Sequence, residues 1–143
     1  VKNLRTGQVN ESLLGVIDYT LTSPGGRLLK NWLLHPLLDP AQISSRQQAV
    51  EEAVERPIIR QEIRDRIKKI PDIERLSTKI SLGAANPRDL VALKKSLFPL
   101  PDIENQLKNF SAPFFLELQA SWDRATDLAE LLDRAILDEP AYL

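Results

Sequence analysis

The chain has no cysteine, no methionine and only one histidine and five glycines in 143 residues. Without cysteine there can be no disulfide and no thiolate metal site. A single His35 rules out a zinc centre built from His and Cys. A di-iron bundle needs paired Glu-x-x-His motifs, and His35 has no Glu three residues before it. A Walker A loop cradles phosphate with Gly-Lys-Ser/Thr, yet none of Gly7, Gly15, Gly25, Gly26 and Gly83 precedes a lysine. No apolar run approaches the ~18 residues of a membrane span, and the N-terminus lacks the basic-then-apolar pattern of a secretory signal. Lys+Arg 19 against Asp+Glu 20 leaves no basic excess, which argues against a dedicated nucleic-acid or membrane-surface module. The chain opens on Val1 and holds no Met, so it reads as a piece of a longer protein whose catalytic apparatus lies elsewhere. An intracellular, cytoplasmic setting is the expectation.

What is present is the composition of an ordinary globular domain, 43% apolar and 27% charged, which argues against disorder and fits one domain over residues 1–143. The expected fold class is all-α, an irregular multi-helix bundle with a short N-terminal strand around residues 2–5. Residues 13–39 are the most hydrophobic stretch, and we expect the chain to be organised around them. A short helix over 11–18 carries Leu13, Leu14, Val16 and Ile17. Ser23 caps the next helix with Pro24 first, and Leu28, Leu29, Trp32 and Leu33 form its buried stripe. Gly25-Gly26 costs helix propensity of ~1 kcal/mol per residue; close backbone approach to a neighbour or a phosphate-binding turn would each justify it.

His35-Pro36 stops that helix. Asp39-Pro40 starts another, with Gln42 completing a capping box; it runs to about Glu55, with Ile43, Ala49, Val50, Ala53 and Val54 inward and Arg46, Glu51 and Glu52 outward. Ile59, Ile63, Ile67 and Ile70 then share one face. Ile73, Leu76, Ile80 and Leu82 form the following stripe, ended by Gly83. Asn86-Pro87 opens a helix lined by Leu90, Leu93, Leu97 and Phe98. Pro99 and Pro101 interrupt, and 102–110 restarts with Ile103 and Leu107. Pro113 opens a helix holding Phe114, Phe115, Leu118 and Trp122. The last helix, about 125–137, turns Leu128, Leu131, Leu132, Ala135 and Ile136 inward. Ten prolines thus delimit helices rather than disrupt them, and the unequal segment lengths weaken a solenoid reading.

No catalytic, cofactor or metal residue is assigned. His35, before Pro36, reads as a contact to a helix C-terminus or an exposed side chain rather than a general base. Asp72/Glu74 and Asp138/Glu139 flank helix ends; Asp72 can cap, and the latter two solvate a terminus. Arg60, Arg64, Arg66, Lys68 and Lys69 could touch phosphate, but Glu62 and Asp65 interleave them, the pattern of a solvated face. Trp32, Phe114, Phe115 and Trp122 sit at inward helical spacing and read as core.

Several stretches carry a family resemblance: SLLGVIDYTLTSPGGRLLKNWLLHPLLDP at 12–40, SRQQAVEEAV at 45–54, IPDIERLSTKISLGAANPRDL at 70–90 and AILDEPAYL at 135–143. In this order they resemble the core, or lever, domain (domain III) of the MutS family of DNA mismatch-repair proteins, the portion before the clamp insertion. The opening VKNLR resembles the strand by which that core follows the connector; Arg5 departs from the acidic residue common there. The resemblance implies a full-length protein with a mismatch-reading domain bearing a Phe-x-Glu motif, a connector, this core, a clamp and a C-terminal ATPase using ATP and Mg. Phe115–Glu117 matches Phe-x-Glu in letters only, inside a helical apolar run. The implied role is a relay of conformational change between the DNA-binding clamp and the ATPase, with no chemistry in this piece. Implied partners are the remaining domains of the parent chain, mismatched DNA through those domains, a second copy in a homodimer and a MutL-type protein, in the bacterial cytoplasm at the nucleoid. No membrane is implied. Helix breaks at 34–36 and 98–101 are candidate hinges. The alternative is an unrelated all-α protein-interaction scaffold, self-sufficient and with little exposed apolar surface. A relay piece should instead leave an apolar patch open beyond the ~300–600 Å² of ordinary monomers.

Overall fold

A computed structural model describes residues 4–8 and 10–139. Among the described residues there are nine helices and no strand: α1 (Leu13–Ile17), α2 (Ser23–Leu34), α3 (Pro40–Glu55), α4 (Pro57–Ile67), α5 (Ile73–Ser81), α6 (Pro87–Leu97), α7 (Leu100–Leu107), α8 (Pro113–Ala120) and α9 (Thr126–Ala135). The strand expected around 2–5 falls partly outside the described residues, and its other half, Leu4 and Arg5, lies in a turn.

Helix starts follow local chemistry. Asp39 Oδ1 accepts from Ala41 N at 2.9 Å ahead of Pro40. Asp72 Oδ1 accepts from Arg75 N at 3.2 Å. Asn86 and Asp89 form a reciprocal capping box, with Asn86 Oδ1 accepting from Asp89 N at 3.0 Å and Asp89 Oδ2 accepting from Asn86 N at 3.1 Å. Two cap expectations are corrected. The α2 cap is Thr22, whose Oγ1 accepts from Gly25 N at 3.2 Å, so Ser23 is already helical. Asp39 caps alone, without the Gln42 box. A third start lies earlier than expected: α7 begins at Leu100, because Pro101 suits a first turn as well as Pro99 suits the corner before it.

The helices pack as two groups. In the first, α3 packs on α8 and α4, α4 on α7, and α7 on α8. Ala49, Ile103, Leu107 and Phe110 are buried there, and the Phe110 and Phe115 rings lie 4.4 Å apart. Gln119 Nε2 donates to the carbonyls of Leu107 (2.8 Å) and Phe110 (3.1 Å), so polar groups at the end of α7 stay satisfied inside the packing. In the second group, α5 and α9 pack on α6 around Leu76, Leu93, Leu97 and Leu132, supported by Ile73, Leu90, Ala129 and Ile136. Complete burial of each such side chain contributes roughly 1.5–3 kcal/mol. None of these broad packings joins one group to the other; Leu100, at the start of α7, reaches the second group's core across the 98–100 corner.

The expectation that residues 13–39 organise the fold is overturned. No residue of α2 is fully buried, α1 buries only Leu14, and Leu28 is 49% exposed. Further residues expected inward are also exposed: Val50, Val54, Phe98, Leu128, Leu131 and Ala135. Their periodicity is that of a buried face, but no helix among the described residues covers them.

Candidate functional site

Most residues weighed for chemistry are engaged structurally. His35 ends α2: its backbone N–H donates to Asn31 O at 2.9 Å, and its Nδ1 lies 2.8 Å from Asn31 Oδ1. Arg60 Nη1 donates to Ala53 O (2.9 Å), Arg64 Nη2 to Tyr19 O (3.1 Å) and Arg66 Nη1 to Glu62 O (3.1 Å), so these three brace backbone carbonyls. Lys68 and Lys69 are exposed just beyond α4. Asp72 and Glu74 both receive Arg27. Asp138 does more than solvate a terminus: it pairs with Lys94 Nζ at 2.6 Å, and Asp133 pairs with the same amine at 3.0 Å. Lys94 is only 3% exposed, so two carboxylates are what allow a charged amine there; Asp138 first, then Asp133, hold its pKa above the usual value. No group of three or more metal-ligating side chains occurs among the described residues.

Trp32, Phe114, Phe115 and Trp122, expected in the core, are each only partly buried. Trp32 meets Phe114 edge-on with centroids 6.5 Å apart, and the Arg46 guanidinium lies 3.8 Å above the Trp32 ring. Arg46 therefore does not point away from the packing as its place in the α3 pattern suggested. Beside this cluster, Leu37, Gln42, Ser45, Arg46, Pro113 and Phe114 line an open groove of about 560 Å³. The glycine pair at the start of α2 is explained by close approach: a Cβ on Gly25 would stand 3.2 Å from Thr22 Oγ1, and one on Gly26 3.3 Å from Thr20 Oγ1. Asp18 fixes that approach by accepting from Thr20 N (3.0 Å) and Thr20 Oγ1 (2.6 Å).

Three side chains that carry no mark in the local residue pattern hold the architecture together. Arg27 donates to Asp72 Oδ2 from Nη1 (2.9 Å), to Asp72 Oδ1 from Nη2 (2.8 Å) and to Glu74 Oε2 from Nε (2.9 Å), with a further contact from Nη2 to Glu74. Glu52, expected to point outward from α3, instead accepts from Ala112 N (2.8 Å), Ser111 N (2.9 Å) and Ser111 Oγ (3.0 Å), capping the start of α8 from another helix. Lys94 is the third. Their partners lie 39 to 60 residues away, beyond the reach of local pattern.

The most extensive feature is the surface itself. The chain exposes 10194 Å²; a compact 16.2 kDa monomer exposes about 7,500 Å². Large apolar side chains are among the exposed residues, several of them along single helices. Val50 and Val54 on α3 continue into Ile58 on α4 (64%, 62% and 75% exposed), and Leu128 and Leu131 line α9. The arrangement has the form of surfaces that other protein segments cover. No helix among the described residues is long and apolar enough to cross a membrane.

The MutS domain III family model matches residues 1–143. The DNA mismatch repair protein MutS of Halothermothrix orenii is 46% identical over 137 residues, which cover 96% of this chain and 15% of that protein. The protein of the same name from Symbiobacterium thermophilum is 45% identical over 139 residues, 97% of this chain and 16% of its own length. That of Methanosarcina barkeri is 42% identical over 144 residues, 98% and 16% respectively. The chain thus spans about a sixth of the length of the curated relatives it matches.

Proposed function

The chain belongs to the MutS domain III family, and from that premise we propose that it is the helical core of a DNA mismatch-repair protein, relaying conformational change between a DNA-binding clamp and an ATPase carried elsewhere in the full-length protein. Membership removes the reading of an unrelated all-α scaffold. The observation that carries the relay is the open surface: 10194 Å² exposed, with apolar stripes on α3, α4 and α9 that suit further domains of the same protein. The division into two helix groups supports it too, because coupling between distant sites requires elements with discrete arrangements that both sites bias. In this reading, residues 1–143 work as one domain with no catalytic, cofactor or metal residue of their own. ATP, Mg, mismatched DNA, the homodimer partner and a MutL-type protein are engaged through the rest of the chain, in the bacterial cytoplasm at the nucleoid.

The corner at 98–100 is the hinge this reading selects, since Pro99 and Pro101 fix φ on either side of Leu100. Exchanging both prolines for Ala in the full-length protein should change the rate of ATP-dependent release from mismatched DNA while leaving the ATPase itself intact. An unchanged release rate removes the corner from the relay.

A further inference from the structure

The two helix groups share little broad packing, yet α2 touches both. At its C-terminal half, Trp32 lies against Phe114 of α8 and under Arg46 of α3. Just before its start, Tyr19 O accepts from Arg64 of α4. Those attachments fix α2 to the first group. Its hydrogen bonds to the second group, among the described residues, all come from Arg27, which takes both oxygens of Asp72 and one of Glu74.

We propose that α2 is a cross-brace: anchored on the first group by Trp32, it sets the angle of the second group through the Arg27 clasp on Asp72 and Glu74. An isolated surface ion pair is worth little, but three features separate this one from the ordinary case. The guanidinium is bidentate on Asp72 and holds Glu74 as well, so its geometry is fixed in two directions. Asp72 is also the N-cap of α5, accepting from Arg75 N, so the clasp grips the residue that starts the helix. The clasp also stands at residues 68–72, where the chain leaves α4 for α5; with the 98–100 corner and the 121–125 connection from α8 to α9, this is one of three connections between the groups. A brace on α2 restrains a rotation that the broad helix packings, all within one group or the other, do not. Because Arg27 and Glu74 are exposed, salt should loosen the clasp, whereas the Trp32 anchor, packed on apolar surface, should hold. The proposal depends on the relay reading only for its consequence in repair; the geometry stands apart from it.

The test is a distance measurement in the full-length protein carrying this chain, without DNA or nucleotide. This chain has no cysteine, so nitroxides can be placed at exposed Gln47 on α3 and Lys95 on α6, with native cysteines elsewhere in the protein replaced. Pulsed electron double resonance then reads the separation of the two groups. Arg27→Gln should shift or widen the distribution by at least ~2 Å, the scale of helix movements in switching proteins. The pair Asp72→Asn with Glu74→Gln should do the same, and the triple variant should add nothing. Asp72→Asn keeps a good α5 cap, so that pair decides the matter if Arg27→Gln folds poorly. Arg27→Lys should recover part of the native distribution, and ~1 M salt should move the wild type toward the variants. An unchanged distribution in the Asp72/Glu74 pair overturns the brace. A changed distribution with unaltered ATP-dependent release keeps the brace and refutes the relay.

Discussion

Glu52 offers the sharpest test of the packing. Its carboxylate leaves α3 and caps α8, whose own N-cap residue, Ala112, has no side chain for the task. The side chain is 12% exposed. Burial pushes its pKa up, but hydrogen bonds from Ala112 and Ser111 and the nearby Arg56 outweigh that and hold it below the ordinary carboxylate value. In Glu52→Ala, Ser111 is exposed and can return its N–H and hydroxyl to water, whereas Ala112 is buried and its N–H is left unpaired. One charge-assisted bond to a buried donor is worth roughly 1.5–3 kcal/mol, and the charge at the helix N-terminus adds about 0.3–1 kcal/mol. Subtracting the relief of a desolvated carboxylate gives an expected loss of about 2–3 kcal/mol. Glu52→Gln keeps one acceptor oxygen but turns an amide toward a donor, so about half that loss is expected. The sign of the pH dependence follows from the lowered pKa. The contribution is full above the unfolded value of about 4.3 and is lost as pH falls through the lower folded value. Urea unfolding followed by helix circular dichroism at pH 7 should show the full gap between wild type and Glu52→Ala; near pH 3 the gap should narrow. A loss below ~0.5 kcal/mol at pH 7, or a gap indifferent to acid, refutes the trans-capping argument.

Trp32→Ala should destabilise by about 2–3 kcal/mol in the same assay, less than the ~3–5 kcal/mol of a fully enclosed aromatic because the ring is only half-buried; a loss under ~1 kcal/mol would mean the ring does not anchor α2. Gly83 follows α5 at φ +65, and a methyl added there would meet nothing within 4 Å, so Gly83→Ala isolates the left-handed backbone cost of ~1 kcal/mol net, and a stabilising result contradicts it. Asn86→Ala breaks the α6 capping box and should cost ~1 kcal/mol, measured by the shift in urea midpoint. Residues 1–143 on their own should bind homoduplex and single-mismatch DNA equally weakly, with affinity falling steeply between low and physiological salt; mismatch preference in a filter-binding assay would place reading of DNA inside this chain.

The helices were legible in the sequence because their starts are written locally: Asp39-Pro40, Asn86-Pro87 and Pro113 each place a boundary within a residue or two of where it lies. Leu76, Leu93, Leu97 and Leu132 read as inward and meet in one cluster. What failed was the passage from a face to its partner. Val50, Val54, Leu128 and Leu131 repeat with the period of a buried stripe and are exposed, since periodicity says that a face is to be covered and not by what. The same limit hid Arg27, Glu52 and Lys94. A charged residue in a helical pattern reads as solvated unless its partner is close in sequence, and these partners are not.

Those three charged residues share a position that bears on how such a domain moves. Each ties one helix to another at an end: Arg27 and Glu52 at helix starts, Lys94 at the loop beyond α9. Apolar packing inside each helix group tolerates little sliding, because close-packed interiors resist small displacement and lose several kcal/mol when opened. Ion-paired ends behave differently: their partners can exchange for water at modest cost on an exposed surface. Placing Glu52 and Lys94 within groups and Arg27 between them puts the exposed clasp at the joint. The buried amine of Lys94 needs both its carboxylates and so keeps α6 and α9 together. Arg27, half exposed, is free to let go. If the groups move while both cores are spared, the motion is a swing of one group against the other, released at Arg27 and accommodated by the connections at 68–72, 98–100 and 121–125.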